Sequence, residues 1–587
     1  MGILLYDCEV FKHWWLVSVL DPYSQKFYDI ADDRWKLQAF YNKHKDDVWV
    51  SYNGRHYDKY IVKGILRGHD PYQINDWIIN QHQEGWAFDN KMGKIQLYDY
   101  DCMKLNDGGL KTLESFMGLN IHETDVDFNL DRELTDEEKR LTIDYCHDDV
   151  LALMEVFIER KADFDAHMAL INEFGLPLSA ISKTQAQICA MVLDCSYHDW
   201  TADEFDVTFV DTVRLGKYEF VKEWFVQKFK ECKEAGAYTK GHLSVDIAGV
   251  PHIIALGGAH GARPMYHASV SEGIIILHID VSSYYPSLNI RYGFISRSSN
   301  SPQKYADVYY KRLALKKAGK KKEQAPLKIV LNAGGFGINK DKNSAAYDPV
   351  QANNTTTTGQ LGLVDLIDKL EAIEGFVLIQ SNTDGLIVQI PDTDEAFEQV
   401  DDICYEWEQR VGVGLEFDQI SEIYQFNVNN YCFRFEDGKI ERKGGWLQES
   451  NRLKNNLTIV NTAMVEYLMN GVPVEKTINE CDDLNLFQMV VKVSSKYECG
   501  WHNGERLTDK TFRIFASVDT ENDSIYKQKS EGATKEKFAN TPDHLVIYNT
   551  ALKGVSTEAV GLDKQWYIDL AKKRLGAFYN DGKKSTD

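Results

Sequence analysis

The sequence has ten cysteines, Cys8 to Cys499, yet no Cys-x2-Cys pair and no Cys/His grouping at zinc-ligand spacing. That absence excludes a zinc-stapled module, and the thiols read as buried groups of a reducing compartment. Long apolar runs are also missing. No stretch approaches the ~20 residues that span a bilayer, and residues 1–30 lack a basic start followed by an apolar core, so no membrane partner is expected. Positive charge is in deficit: 66 Lys and Arg stand against 89 Asp and Glu, a net charge of −23. A general affinity for polyanions is thereby disfavoured, and any contact with phosphates has to use local basic grooves. Internal repeats and long low-complexity tracts are absent. At 587 residues the chain is too long for one hydrophobic core, and three or four domains are expected. The expected location is the cytoplasm, that of a host cell if the source is viral.

What the chain does have is a series of carboxylates at the ends of apolar segments. Ile3-Leu4-Leu5-Tyr6-Asp7-Cys8-Glu9 reads as a short strand, and alternation sends Asp7 and Glu9 to one face. Like charges so close repel unless a cation joins them; an ordinary surface pair is the competing reading. Val48-Trp49-Val50-Ser51-Tyr52-Asn53-Gly54-Arg55-His56-Tyr57-Asp58 is a second strand and turn that ends on an Asp. Thr135 and Glu138 have the spacing of a capping box that opens a helix. On that helix Tyr145 and Asp149 are four apart and share a face, while Asp144 and Asp148 read as solvated neighbours.

A second series lies further along the chain. Gly273 to Ile279 is an apolar run of strand character that delivers Asp280, followed by Val281-Ser282-Ser283-Tyr284-Tyr285-Pro286-Ser287. Lys328 and Asn332 lie one helical turn apart, after a lysine cluster in which Lys320 to Lys322 read as a solvated tip. Phe376 to Gln380 and Leu386 to Ile390 read as two strands of a hairpin around Ser381-Asn382-Thr383-Asp384-Gly385. Gly257-Gly258 is a glycine pair with a plain turn as its competing reading, and His260 beside it reads as structural.

These segments resemble the motifs of family-B DNA polymerases. Asp7-x-Glu9, Asn53 with Tyr57-Asp58, and Tyr145 with Asp149 are similar to the three motifs of the family's proofreading 3'-5' exonuclease domain, over roughly residues 1–170. Asp280 to Ser287, Lys328 to Asn332 and Asn382-Thr383-Asp384 are similar to its three polymerase motifs. The resemblance implies a multidomain α/β and α+β fold: an RNase H-like exonuclease at 1–175, a linker and helical segment at 176–245, and palm at 246–298. Fingers at 299–339, the second part of the palm at 340–445, and a helical thumb with the C-terminal region at 446–587 complete the right hand.

The same resemblance implies roles. Asp7, Glu9, Asp58 and Asp149 would hold two Mg2+ or Mn2+ ions, with Tyr145 orienting the attacking water and Asn53 contacting DNA. Asp280, the Val281 carbonyl and Asp384 would hold two more ions; oxygen-only ligands suit these metals. Tyr285 would exclude a 2'-hydroxyl, and Arg312, Lys328 and Asn332 would grip the dNTP triphosphate, charge-assisted contacts being the strong ones. Gly257, Gly258, Tyr431 and Lys443 would contact primer-template DNA. Departures are visible: Asn382 stands at the first Asp of D-T-D-S and Gly385 at its Ser, and Ala255 replaces a Tyr before the glycine pair. Asn429 replaces a Lys before Tyr431. Phe336 is the candidate for the Tyr that packs on the nascent base pair, although Gly335 holds its nominal place.

The expectation is a compact, monomeric replicative polymerase of bacteriophage type with proofreading, working with other replication proteins. Asp280 to Lys328 spans 48 positions and Asn332 to Asp384 spans 52, which leaves no room for the insertions of protein-primed members. A terminal protein is therefore not expected. Two other readings stay open: a 3'-5' exonuclease whose polymerase half has decayed into a DNA-binding module, motivated by Asn382 and Asn429, and a non-enzymatic replication scaffold. Arg452, Lys454, Asn455, Lys492 and Lys496 are candidates for phosphate contacts, with solvated surface as the alternative.

Overall fold

The computed structural model describes residues 1–124, 126–332 and 337–578, and the chain divides into two compact units of mixed α/β structure. Phe336 and Gly335 lie outside the described residues. Among the described residues no helix is long and apolar enough to cross a membrane, and the ten cysteines are all free thiols, eight of them buried.

The first unit is built on a five-stranded sheet of β1 (Ile3–Val10), β2 (Trp15–Asp21), β3 (Lys26–Ala31), β4 (Val48–Ser51) and β5 (Tyr98–Asp101), in the order β3-β2-β1-β4-β5. The pairs β1/β4 and β4/β5 are parallel, and β1/β2 and β2/β3 antiparallel, so β1 lies at the centre of the sheet. Three helices of this unit bear on its cleft: α1 (Asp58–Arg67) and α3 (Asp136–Glu159), which line it, and α2 (Leu110–Phe116), whose Lys111 pairs with Asp149 of α3. The capping box at Thr135 is present, with the Thr135 hydroxyl accepting from Glu138 N and the Glu138 carboxylate accepting from Thr135 N. Two orphan N–H groups are satisfied at once, which fixes where α3 starts.

The second unit holds a ten-stranded sheet. Its strands are β6 (Leu243–Ile247), β7 (Val250–Ala255), β8 (Gly258–Ala262), β9 (Tyr266–Ser269), β10 (Ile274–Val281), β11 (Val377–Ser381), β12 (Gly385–Pro391), β13 (Leu415–Asn427), β14 (Asn430–Phe435) and β15 (Ile440–Lys443). The order is β15-β14-β13-β10-β12-β11-β8-β7-β6, with β9 pairing β13. The apolar run before Asp280 thus becomes the middle of the sheet, where a strand has to be buried on both faces. Five helices of this unit form its cleft and core: α4 (Tyr284–Tyr292), α5 (Gln303–Lys317), α6 (Lys321–Asn332), α7 (Pro349–Leu370) and α8 (Asp394–Val411). Although α7 carries Asn353 to Gln360, a polar run, almost all of it is buried. Two of its threonines are satisfied locally: the Thr355 and Thr356 hydroxyls donate back to the carbonyls of Gln351 and Ala352. Gly359 and Gly362 leave room for aromatic partners, with the Tyr284 hydroxyl donating to Gly359 O (2.7 Å) and Trp407 Nε1 to Gly362 O (3.1 Å).

The region after residue 446 departs from the expected helical thumb. Residues 450–460 and 475–569 belong to the first unit, whereas 461–474 and the chain from Leu570 belong to the second. The first-unit part carries two small sheets: β16 (Met489–Lys492), β19 (Thr511–Ala516) and β22 (Leu545–Ile547) form one. A second sheet consists of β17 (Cys499–His502), β18 (Glu505–Leu507), β20 (Tyr526–Gln528) and β21 (Glu536–Lys537). Val491, Val493, Phe512, Ile514, Ile525 and Leu545 make the shared core. β-Branched and aromatic residues favour strands, and β16, β19 and β22 follow that preference. Two of the phosphate candidates are occupied internally. Arg452 Nη1 pairs with Glu155 and Glu159 (3.0 Å each), and Asn455 is buried with its Oδ1 accepting from Thr458.

Trp407 of α8 is fully buried against α7 in the second unit's core. Trp407→Ala removes that ring and its indole bond to the Gly362 carbonyl, so a loss of ~3–5 kcal/mol is expected. Urea unfolding followed by fluorescence checks it.

Candidate active site

Two acidic clefts stand in the two units. In the first, β1 carries Asp7 and Glu9 to one face, opposite Ser18 and Leu16 of β2 in the ladder. Asp58 opens α1, and Tyr145 and Asp149 share a face of α3. All five line one cleft of about 550 Å³ together with Asn53, whose backbone sits at φ 66° and donates its N–H to Asp101 Oδ1 (2.9 Å). Asp99 and Asp101 behind the cleft are structural. Asp99 accepts from the Tyr6 hydroxyl (3.0 Å) and the Ser51 hydroxyl (2.7 Å).

The electrostatics of this cleft are dominated by burial and mutual repulsion. Burial, then the charge of Asp149, pushes Asp7 up to about 7. Glu9 is raised well above the usual carboxylate range by burial and by Asp7, Asp149 and Asp58, and Asp58 is raised by burial, Asp7 and Asp99. Ligand atoms of Asp7, Glu9 and Cys146 lie within 4.8 Å of one another, the Cys146 thiol donating to Asp7 Oδ2 (3.7 Å). Oxygen donors held together against their own repulsion are the donor set a hard divalent cation takes, so the residues present fit one.

Sequence reasoning missed the cation already there. Lys111 of α2 puts Nζ 2.6 Å from Asp149 Oδ1, 3.1 Å from the buried Glu114 carboxylate, and 4.6 Å from the Tyr145 ring centroid. Burial and the Asp149 charge push Glu114 up to about 8. A lone Lys in a short helix carries no sequence signal. Its partner is 38 positions away.

In the second unit Asp280 ends β10 and faces Gly385 of β12 on one side and Glu416 of β13 on the other. The Val281 N–H donates to Asp384 O (2.8 Å), which ties the Asp280 strand to the hairpin turn. Gly385 is required by the close approach of the strands: a Cβ there would lie 2.9 Å from Ile279 O. A Ser at this position would clash with the strand that bears Asp280. Ser283, at φ 49°, breaks the strand and begins α4, and its hydroxyl accepts from Arg312 Nη1 (2.7 Å).

A cleft of about 480 Å³ is lined by Asp280, Val281, Tyr285, Arg312, Lys328, Asn332 and Asp384, with Lys316 and Glu416 beside them. It brings together seven of the sequence candidates, drawn from five elements. Burial, then Asp384 and Glu416, pushes Asp280 up to about 6. Lys316 Nζ lies 2.6 Å from Glu416 Oε1 and holds that carboxyl below its usual range, and the Ser282 hydroxyl also donates to it. From the sequence Lys316 figured only as a member of the lysine cluster that includes Lys317 and Lys320 to Lys322, and Glu416 was not singled out. Lys320 pairs with Glu323 at the exposed end of the helix pair, as a solvated tip should. Arg312 is buried and held by Ser283 and by Gln324 Oε1 (3.1 Å). Tyr285 stands 6.0 Å from the parallel Tyr284 ring. A Cβ on Gly359 would sit only 3.1 Å from its ring.

Asn382 makes turn contacts. Its N–H donates to Gly385 O (2.9 Å) and its Oδ1 lies 3.0 Å from His260 Nδ1. The remaining candidates stand outside this cleft. Gly257 and Gly258 form the β7–β8 hairpin turn, Tyr431 is buried in the sheet opposite Lys443, and Lys443 is exposed at the end of β15. Asp280, Asp384 and Glu416 are oxygen donors of this cleft, the type a hard divalent cation takes, with Glu416 already paired to Lys316.

No family model matches the chain, and no curated relative does. Among solved structures, the family B DNA polymerase from the hyperthermophilic archaeon Pyrobaculum calidifontis is similar at 14% identity, over 100% of this chain and 79% of that chain, with a TM-score of 0.41. A likeness of that size defines neither the fold nor the chemistry of this chain.

The raised carboxyl of Asp7 predicts a pH dependence. Its folded value, about 7, lies above the unfolded value near 3.8. Folding therefore favours the protonated form, and the stability tied to it is present below pH ~4 and lost as pH rises through ~7. In chelator-treated protein, Asp7→Asn should raise stability by ~1–2 kcal/mol at pH 8 and by little at pH 4. Urea midpoints across that range provide the check.

Proposed function

We propose that the chain is a template-directed DNA polymerase of family-B type with a 3'-5' proofreading exonuclease. The observation that carries the polymerase reading is the convergence of Asp280 and Asp384 with Arg312, Lys328, Asn332 and Tyr285 in one cleft. Two carboxylates facing fixed cations are what transfer of a nucleotidyl group needs, since that chemistry is mostly positioning and charge stabilisation. On this reading residues 246–298 and 340–445 serve as palm, 299–339 as fingers, and 1–175 as an RNase H-like exonuclease. Primer-template DNA and dNTPs are the substrates, and a terminal protein is not required.

Asp280, the Val281 carbonyl and Asp384 would hold two Mg2+ or Mn2+ ions in one site; Asp7, Glu9, Asp58 and Asp149 would hold two in the other. Such ions, when bound, supply activation of an oxygen nucleophile and neutralise charge on the leaving oxygen. The chain's own groups do the rest. Arg312, fixed by Ser283, and Lys328 receive the triphosphate, and Asn332 hydrogen-bonds beside them. The Tyr285 ring, backed by Gly359, leaves no space for a 2'-hydroxyl. In the first unit Tyr145 positions a water at the strand's 3' end, and Lys111, 2.6 Å from Asp149 Oδ1, orients that side chain.

Two outcomes test this. Asp7→Ala with Glu9→Ala should abolish degradation of a single-stranded 3' end while leaving primer extension largely intact. Persistence of the nuclease in purified double mutant would defeat the assignment. In single-turnover extension, Asp280→Asn and Asp384→Asn should each lose at least ~10^3-fold, about 4 kcal/mol of barrier, while Asn382→Asp should stay within ~tenfold. An inert parent and an active Asn382→Asp would establish instead an exonuclease with a decayed polymerase half.

A further inference from the structure

The short helix that carries Lys111 is held from the far end of the chain. α2 has seven residues, too few to be stable alone, and its last carbonyls need partners. Arg513 of β19 supplies them. It is 0% exposed. Its Nε and Nη2 donate to Ser115 O (3.3 and 3.0 Å), and Nη2 also reaches Leu119 O (2.8 Å). Nη1 donates to the carbonyls of Tyr548 (3.3 Å) and Thr550 (2.8 Å), and Nε to Gln488 Oε1 (2.9 Å).

Further bonds run between the same two parts of the first unit. Gln488 Nε2 donates to Phe116 O (2.9 Å), Leu552 N to Gly118 O (2.9 Å), and Ile121 N to Asn549 O (2.9 Å). Asp509 accepts from Glu123 N (3.2 Å). A buried guanidinium is costly unless its donors are used, and here the planar fork joins acceptors from both parts. One helical turn before Ser115, the same helix presents Lys111 to Asp149.

We propose that Arg513 is a positioning residue for the exonuclease site: it fastens the C-terminal end of α2 to the β16–β22 sheets and thereby sets where Lys111 Nζ stands against Asp149. The inference rests on the proposed exonuclease activity of the first unit. It makes a module that carries none of the nuclease motifs a working part of the nuclease.

The test uses the full chain with Arg513→Lys, which keeps the charge but lacks the fork, and Gln488→Glu, which keeps an acceptor for Arg513 but loses the donor to Phe116. The first readout needs no activity: amine labelling of Lys111 in metal-free protein, by mass spectrometry, against Lys63 of α1 as internal control. Labelling of Lys111 should rise ~fivefold in Arg513→Lys and ~twofold in Gln488→Glu, with Lys63 unchanged. Exonuclease turnover should fall ~tenfold in Arg513→Lys with KM for the single strand within ~twofold, and primer extension should be unaffected. Added to Lys111→Ala, Arg513→Lys should cost less than ~twofold more, because both act through one group.

Unchanged Lys111 labelling in a folded variant, or losses that simply multiply, overturns the proposal. If Arg513→Lys does not fold, the Gln488→Glu labelling decides it. A parent chain that degrades no 3' end removes the exonuclease reading, and the labelling result still reports whether Arg513 places Lys111.

Discussion

Repulsion between buried carboxylates is the constraint on which the rest of this structure depends. Bringing like charges within a few ångströms in a desolvated cleft raises their pKa values and costs folding energy. The first unit does so with Asp7, Glu9 and Asp58 beside Asp149, and in the second Asp280 is raised by its own burial and by the charges of Asp384 and Glu416. The surrounding fold is what makes that tolerable. A central strand in each sheet fixes one end of the cluster, and helices or tight turns deliver the others.

Each cluster also keeps a lysine of its own, Lys111 at Asp149 and Lys316 at Glu416. Each ammonium pairs with one carboxylate of its cluster and compensates the strand-end carboxylates only in part. Asp7 and Asp280 remain pushed up to about 7 and about 6. A partly neutralised cleft of this kind folds and still has reason to take up a divalent cation. Strain is placed in the same spots: Ser283 at φ 49° turns the chain out of β10, and Gly385 permits the approach of β12 that an added Cβ would block.

How much of this is legible in the sequence depends on the range of each interaction. Asp7 with Glu9 and Tyr145 with Asp149 are periodic pairs within one element, and Asn382 to Gly385 is a turn between two strands, so local pattern finds them. The capping box at Thr135 is local too. Lys316 with Glu416 is a contact across 100 positions and Arg513 with Ser115 across 398, and neither leaves a trace in spacing or composition. After residue 446 helices do occur, at Thr458–Asn470 and Lys564–Gly576, but the two sheets beside them were not expected, for a related reason. Strands such as Cys499–His502 and Tyr526–Gln528 are too short to show alternation, and their pairing is set by the sheets they join.

The central claim is that these two clefts are separate two-metal sites, one making and one breaking phosphodiester bonds. The most direct measurement is an anomalous-scattering crystal structure of the chain with Mn2+, primer-template DNA and a non-reactive dNTP analogue. The account predicts manganese at Asp280 and Asp384 with the triphosphate between Arg312 and Lys328, and manganese also at Asp7 and Glu9. Nucleotide bound away from Arg312 and Lys328, or metal at neither carboxylate pair, would contradict it.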